Sequence, residues 1–196
     1  MKKKLVILFV IGISISILVA CFPTEYYLIK DFEFFGIELK NPHETIDENK
    51  VFGNVEDTLR NKLYFRIVAH GEFQYTASLN NISLINQCYA TSRHEELKNT
   101  ILLEELELRL SSDIYFDSEV IEKGTDLWNH PNLKNYKWFY TSDNDYWMSF
   151  YGVIGFIDSF YDKVVIPQKD YTIKLTCKTS DDQLITKSIE LYLKIN

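Results

Sequence analysis

The chain predicts an all-β fold, an antiparallel β-sandwich, and three observations predict it. Apolar residues recur at every second position in stretch after stretch. Clusters of Gly, Pro, Asn, Asp and Ser divide those stretches, and almost no window sustains a helical period. Many short strands with turn signals between them are the pattern of two packed sheets rather than of a helical or α/β domain.

Before the strands comes a leader. Met1 is followed by Lys2, Lys3 and Lys4, and Leu5 to Ala20 then runs sixteen residues without a charge, a basic n-region before an apolar h-region. A membrane-spanning helix needs about 20 apolar residues, and Glu25, Lys30 and Asp31 follow too soon to extend the run. Residues 1–20 therefore read as a secretory signal. Its ending, Leu18-Val19-Ala20-Cys21, resembles the lipobox of bacterial lipoproteins at all four positions. The resemblance implies cleavage before Cys21 and acyl chains, palmitate among them, on its thioether-linked glycerol and amino group. Each buried CH₂ contributes about 0.8 kcal/mol, so several chains hold a domain on the bilayer where one binds reversibly. An uncleaved anchor or a plain secretory leader is the alternative. Phe22 stands where many inner-membrane lipoproteins carry aspartate, which implies the outer membrane and leaves open the periplasmic or surface face. Residues 21–26 are then a short tether and 27–196 a single sandwich domain.

The leader removes three of the 21 basic residues, leaving 18 against 28 acidic ones, a net charge of −10 with histidines neutral. Nucleic acid is excluded as a partner on that balance, because its binding needs a basic stripe. Beyond Cys21 only Cys88 and Cys177 remain, both at core-facing parity in a compartment where disulfides persist. They form either one bridge or two buried thiols. Neither lies in a C-x-x-C pair, which disfavours redox and zinc roles.

Leu28 to Leu39 is the first strand, with a bulge expected near Phe34-Phe35-Gly36 where the alternation slips. Asn41 to Arg60 reads as a loop. Leu63, Phe65, Ile67 and Ala69 form a strand that Gly71 separates from a second one at Phe73, Tyr75 and Ala77, giving a hairpin or adjacent strands. Ile82 to Thr91 is a further strand, and residues 94–100 are compatible with a short helical turn. Leu106, Leu108 and Leu110, between Glu105, Glu107 and Arg109, are the cleanest alternation in the chain; Ile114 and Phe116 keep its parity. Gly124, Asn129, Pro131, Asn132 and Asn135 make a long connection. The C-terminus is a hairpin: Tyr171, Ile173, Leu175 and Cys177, a turn at Ser180-Asp181-Asp182-Gln183, and a return through Ile185, Ile189, Leu191, Leu193 and Ile195.

Cys88-Tyr89-Ala90, residues 111–117 (SSDIYFD), Gly124-Thr125-Asp126-Leu127 and residues 171–176 (YTIKLT) resemble a group of uncharacterised bacterial envelope lipoproteins. That resemblance implies one Ig-like β-sandwich domain and brings no activity, cofactor or catalytic residue. The tryptophan that follows the first core cysteine of an antibody-type domain is missing here, since Trp128 lies far beyond Cys88.

Eleven of the 29 aromatic residues fall between Tyr136 and Tyr161. They either fill the core or present a face, and Trp128, Trp138, Tyr140 and Trp147 are the candidates for a ligand or protein-partner face, a glycan-stacking platform included. Asp113 with Asp117, and Asp143-Asn144-Asp145, are acidic candidates; the second lacks the glycine and distal glutamate of a calcium loop. His43, His70, His94 and His130 show no metal spacing. Ser142-Asp143-Asn144 has no S-x-x-K beside it, and Asp57-Thr58-Leu59 resembles a bacterial O-glycosylation acceptor. No catalytic residue, metal or cofactor is assigned. A non-enzymatic envelope interaction or accessory domain is expected, with a glycan-binding module and an envelope hydrolase as alternatives.

Overall fold

A computed structural model describes residues 24–38, 55–76, 96–141, 147–148 and 150–195, and it is all-β and sandwich-like. In chain order the strands are β1 (Thr24–Gly36), β2 (Thr58–Leu59), β3 (Tyr64–Thr76), β4 (Glu96–Leu97), β5 (Ile101–Leu110), β6 (Ile114–Phe116) and β7 (Glu119–Ile121). A 3-10 helix (Pro131–Tyr136) precedes β8 (Lys137–Thr141), β9 (Trp147–Met148) and β10 (Tyr151–Phe156). After the single turn α1 (Asp158–Tyr161) come β11 (Val164–Val165), β12 (Lys169–Thr179) and β13 (Leu184–Leu193). β1 thus begins inside the six residues expected as a tether.

The chain divides into two compact units. The first takes Met1–Leu28 and Gly71–Lys98. Its described part is the start of β1, the end of β3 from Gly71 on, and β4, which lies parallel on β1 with Tyr26 opposite Glu96 and Tyr27 opposite Leu97, the Lys98 N–H donating to the Tyr27 carbonyl at 2.9 Å. Residues 94–100 therefore hold no helical turn where they are described, because Glu96 and Leu97 are taken up by strand pairing. Cys88, Ile82 to Thr91 and Arg93 to Glu95 lie outside the described residues.

The second unit holds Ile29–His70 and Asn99–Asn196. One sheet runs β1-β3-β10-β8, a second β2-β13-β12-β5-β9, and a three-stranded sheet β11-β6-β7. In the two large sheets Ile29, Phe32, Phe34, Phe65, Ile67, Ile154, Leu106, Leu108, Ile173, Leu175 and Leu193 are all buried; Phe32 with Phe34, Phe65 with Ile67, Leu106 with Leu108 and Ile173 with Leu175 fall at alternate positions, while Ile29 is out of step with Phe32. β12 and β13 pair from Lys169↔Leu193 to Lys178↔Leu184, the expected hairpin. β5 pairs with β12 from Ile173↔Leu110, but the register moves from Thr176↔Glu107 to Lys178↔Leu102, so β5 advances five residues while β12 advances two. This bulge lets both Leu103 and Leu106 be buried while Glu104 and Glu105 stay in water.

Gly71 does not break the strand expected to end there, and β3 is continuous across it. A Cβ at Gly71 would lie 2.4 Å from the Leu28 carbonyl oxygen, so glycine marks a close approach of backbone rather than a turn. In β1 the alternation holds through Phe32, Phe34 and Gly36 and slips at Ile37, which bridges Val55. Asp117 and Ser118, at φ 49° and 71°, form the two-residue loop joining β6 to β7, a turn whose twist matches the strands it connects. The Lys163 ammonium, 2.8 Å from the Asp117 carboxylate, pins that turn, and this hydrogen bond raises the lysine's pKa.

Candidate functional site

The aromatic region is mostly core. Phe156 and Phe160 stack at 4.3 Å, Phe116 stacks on Phe160 at 5.8 Å, and Trp128 meets Phe156 edge-on at 6.1 Å. Trp128 is 1% exposed and its indole N–H donates to the Leu103 carbonyl at 2.8 Å. That corrects its place in the expected binding face: the ring is needed inside, with its one polar atom satisfied there. Trp138 and Tyr140 are partly buried on β8, packed against the cluster of Ile37, Tyr64 and Val153. Trp138 lies opposite Gly155, as does Tyr64. The two rings meet edge-on at 5.5 Å, and a Cβ on Gly155 would stand 2.1 Å from the Tyr64 ring. The glycine is the space the tyrosine fills, and burial pushes the Tyr64 hydroxyl up to about 12. Trp147 is placed in β9 opposite Leu102; its side chain lies outside the described part. The four candidates therefore do not assemble into one described face.

Cys177 is fully buried on β12 and packs as a small apolar core residue; Cys88, the other half of the candidate bridge, lies outside the described residues. Burial pushes the thiol's pKa up, which removes the reactive thiolate. Alkylation of the native chain at mildly alkaline pH should leave the Cys177 peptide unmodified by mass spectrometry and modify it fully in denaturant; native modification would contradict this burial.

The other sequence candidates act as fasteners where they are described. Asp113 accepts the Lys123 N–H at 2.7 Å, and Asp117 pairs with Lys163. His130 caps the 3-10 helix through Asn132, and His70 stands 3.5 Å from Glu33. Thr58 and Leu59 are β2 itself. His43, His94 and residues 142–146 lie outside the described residues, among which no group of three His, Cys, Asp or Glu could hold a metal.

The segment Gly124 to Asn129 seals the outer edge of β5. The Gly124 N–H donates to the Leu110 carbonyl at 2.9 Å and the Leu127 N–H to the Leu108 carbonyl at 2.7 Å. One Asp126 oxygen accepts the Leu108 and Trp128 N–H groups, both at 3.0 Å, and Asn129 donates to the Leu106 carbonyl at 2.6 Å. A strand edge that would otherwise expose a row of polar groups is thereby closed.

The same segment raises a wall beside the outer face of the β5-β12-β13 sheet. Between wall and face is an open groove of about 420 Å³ lined by Arg109, Ser111, Lys123, Gly124, Thr172, Lys174 and Ser188, with Leu110 at its floor. Register places Arg109, Lys174 and Ser188 in one row, each directly opposite its neighbour. Arg109 is held: Nε and Nη2 donate to Glu107 Oε2 at 3.3 and 2.9 Å, and Nη1 donates to the Gly124 carbonyl. Ser111 Oγ accepts the Thr172 N–H at 2.9 Å, which leaves its hydroxyl hydrogen free to donate. Sequence reasoning missed this groove. Alternation put Lys174 and Thr172 on a wet face, but only pairing register brings Arg109 against Lys174.

Compared with known protein-family models and with curated proteins, the chain finds no match.

Proposed function

We propose that the protein is a cell-envelope lipoprotein, anchored through acylated Cys21, whose β-sandwich is a non-enzymatic interaction or accessory domain. The observation that carries this is Leu18-Val19-Ala20-Cys21 at the end of a basic and then apolar leader. An outer-membrane destination is part of the proposal and rests on Phe22 in place of aspartate. What supports interaction over catalysis is the employment of the chemistry-bearing side chains. Asp113, Asp117 and Asp126 hold turns and edges, and Cys177 is sealed in the core. The Ig-like kinship suggested by residues 111–117, 124–127 and 171–176 belongs to the same proposal.

Labelling of cells with tagged palmitate tests the anchor. The wild-type chain takes the label and fractionates with envelopes. Cys21→Ala loses the label and accumulates with its leader uncleaved. A Cys21→Ala chain that is still labelled and still cleaved would sink the proposal. Cross-linking in intact envelopes then asks for the partner directly.

A further inference from the structure

We propose that the groove formed by Arg109, Lys123 and Lys174 is a binding site for a phosphomonoester group, a site independent of the lipid anchor. The first observation is a broken local rule. Arg109 and Lys174 stand directly opposite on neighbouring antiparallel strands, and like charges in that position destabilise a sheet. In a chain with 28 acidic and 21 basic residues, such a pair is not forced by composition. Arg109 is compensated by Glu107 and braces the wall through the Gly124 carbonyl, but Lys174 opposite it has no such partner, and a local rule broken without compensation marks a candidate functional position.

The second observation is charge. Glu107 compensates Arg109 and holds it in place. Lys123 and Lys174, both exposed, have no carboxylate within ion-pair distance among the described residues. The groove therefore holds two ammonium groups without an ion-pair partner; the Asp113 carboxylate, which accepts the Lys123 N–H, and Glu190, opposite Thr172, are the carboxylates beside it. A phosphomonoester carries about −1.5 to −2 at pH 7 and offers three acceptor oxygens, so it matches both the charge and the donors. The donors are the two ammonium groups, the remaining N–H groups of Arg109 and the hydroxyls of Ser111, Thr172 and Ser188.

The third observation is how the site is built. The wall is not a free loop. Lys123 is fixed through its N–H to Asp113 and Gly124 through its N–H to Leu110, while the Gly124 carbonyl receives Arg109. The floor is the paired register of β5, β12 and β13. A volume of about 420 Å³, open to solvent, admits the phosphate together with a sugar- or glycerol-sized body. The phosphate could be borne by a soluble metabolite or by a lipid head group, and the chemistry of recognition is the same.

Calorimetric titration of the full chain in neutral detergent at low salt, with glycerol 3-phosphate as probe, tests the site. Saturable binding is expected, with glycerol inert at the same concentrations. Lys123→Gln/Lys174→Gln should lose at least tenfold in affinity with its thermal midpoint unchanged. A charge-matched control, Lys134→Gln/Lys169→Gln, should bind as wild type. Phosphatidic acid in the same detergent distinguishes the sources. Displacement of glycerol 3-phosphate by the lipid assigns a head group and no displacement assigns a soluble ligand, and both support the site. Absence of saturable binding, an undiminished affinity in the groove variant, or an equal loss in the control would overturn it.

Discussion

Trp128→Ala lowers the stability of the protein by about 3–5 kcal/mol, the range for truncating a large buried aromatic. The ring is 1% exposed, it lies edge-on to Phe156 at 6.1 Å, and the Lys137 ammonium sits 5.0 Å from its centre. Removing it opens a cavity and leaves the Leu103 carbonyl without its donor. Trp128→Phe separates the two effects. It keeps much of the apolar volume and orphans only the carbonyl, a cost of about 1–3 kcal/mol. Urea unfolding followed by far-UV circular dichroism reads both, as a midpoint shift at constant slope. Trp138→Ala, in a ring that is only partly buried, should cost less than Trp128→Ala. The reverse order would mean that Trp128 is not the core residue its burial describes.

Asn99→Ala costs about 2–4 kcal/mol, because one side chain serves two buried backbone groups at once. Asn99 Oδ1 accepts the Ile29 N–H at 2.7 Å and Nδ2 donates to the Ile29 carbonyl at 3.1 Å, as a neighbouring strand would. Nδ2 also donates to Asp181 Oδ1 at 2.9 Å, so the first strand is tied to the turn between β12 and β13. Burial alone would raise the Asp181 pKa, but hydrogen bonds from Thr179 and Asn99 outweigh it and the carboxyl is held below its ordinary value. Asp31 is lowered too, chiefly by its hydrogen bond from Lys187. A depressed folded pKa contributes stability above the unfolded value, and that stability is lost as pH falls through the folded value. Wild type should therefore weaken as pH drops below about 4. Asn99→Ala should show a shallower acid limb, since Asp181 has lost a donor. Equal slopes in urea midpoints between pH 5 and pH 3 would refute the tie.

The strands with one wet face were legible because their pattern is local. Leu106, Leu108 and Leu110, and Tyr171 to Cys177, carry a period of two that no helix accommodates, and the hairpin turn at 180–183 lies where Ser, Asp and Gln interrupt it. Gly71 was misread because a glycine needed for close backbone approach looks the same in sequence as one needed for a turn. The aromatics between 128 and 161 were equally ambiguous. Whether Trp128 fills a core or meets a ligand depends on Leu103 and Phe156, distant in sequence and adjacent in space. Asn99 falls in the stretch expected as a short helical turn, and nothing local shows that its amide meets Ile29. The groove was the least legible feature, since Arg109, Lys123 and Lys174 become one site only after two sheet registers and one edge-sealing segment are fixed.

Ile29 finds its partner in Asn99, 70 residues on, and Asp31 meets Lys187 at 2.6 Å across 156 residues. β1 is thus fastened by residues of β13 and of the turn before it, far along the chain. Folding dominated by contacts of such sequence separation is slow, typically milliseconds to seconds, because the chain must be brought together before those contacts reward it. A nascent chain that has not yet delivered β13 lacks the partner of Asp31 and the turn that Asn99 grips. Asp31 and Asn99 therefore gain these partners only after β13 and the turn before it have emerged, so the ties that fasten β1 form late in folding.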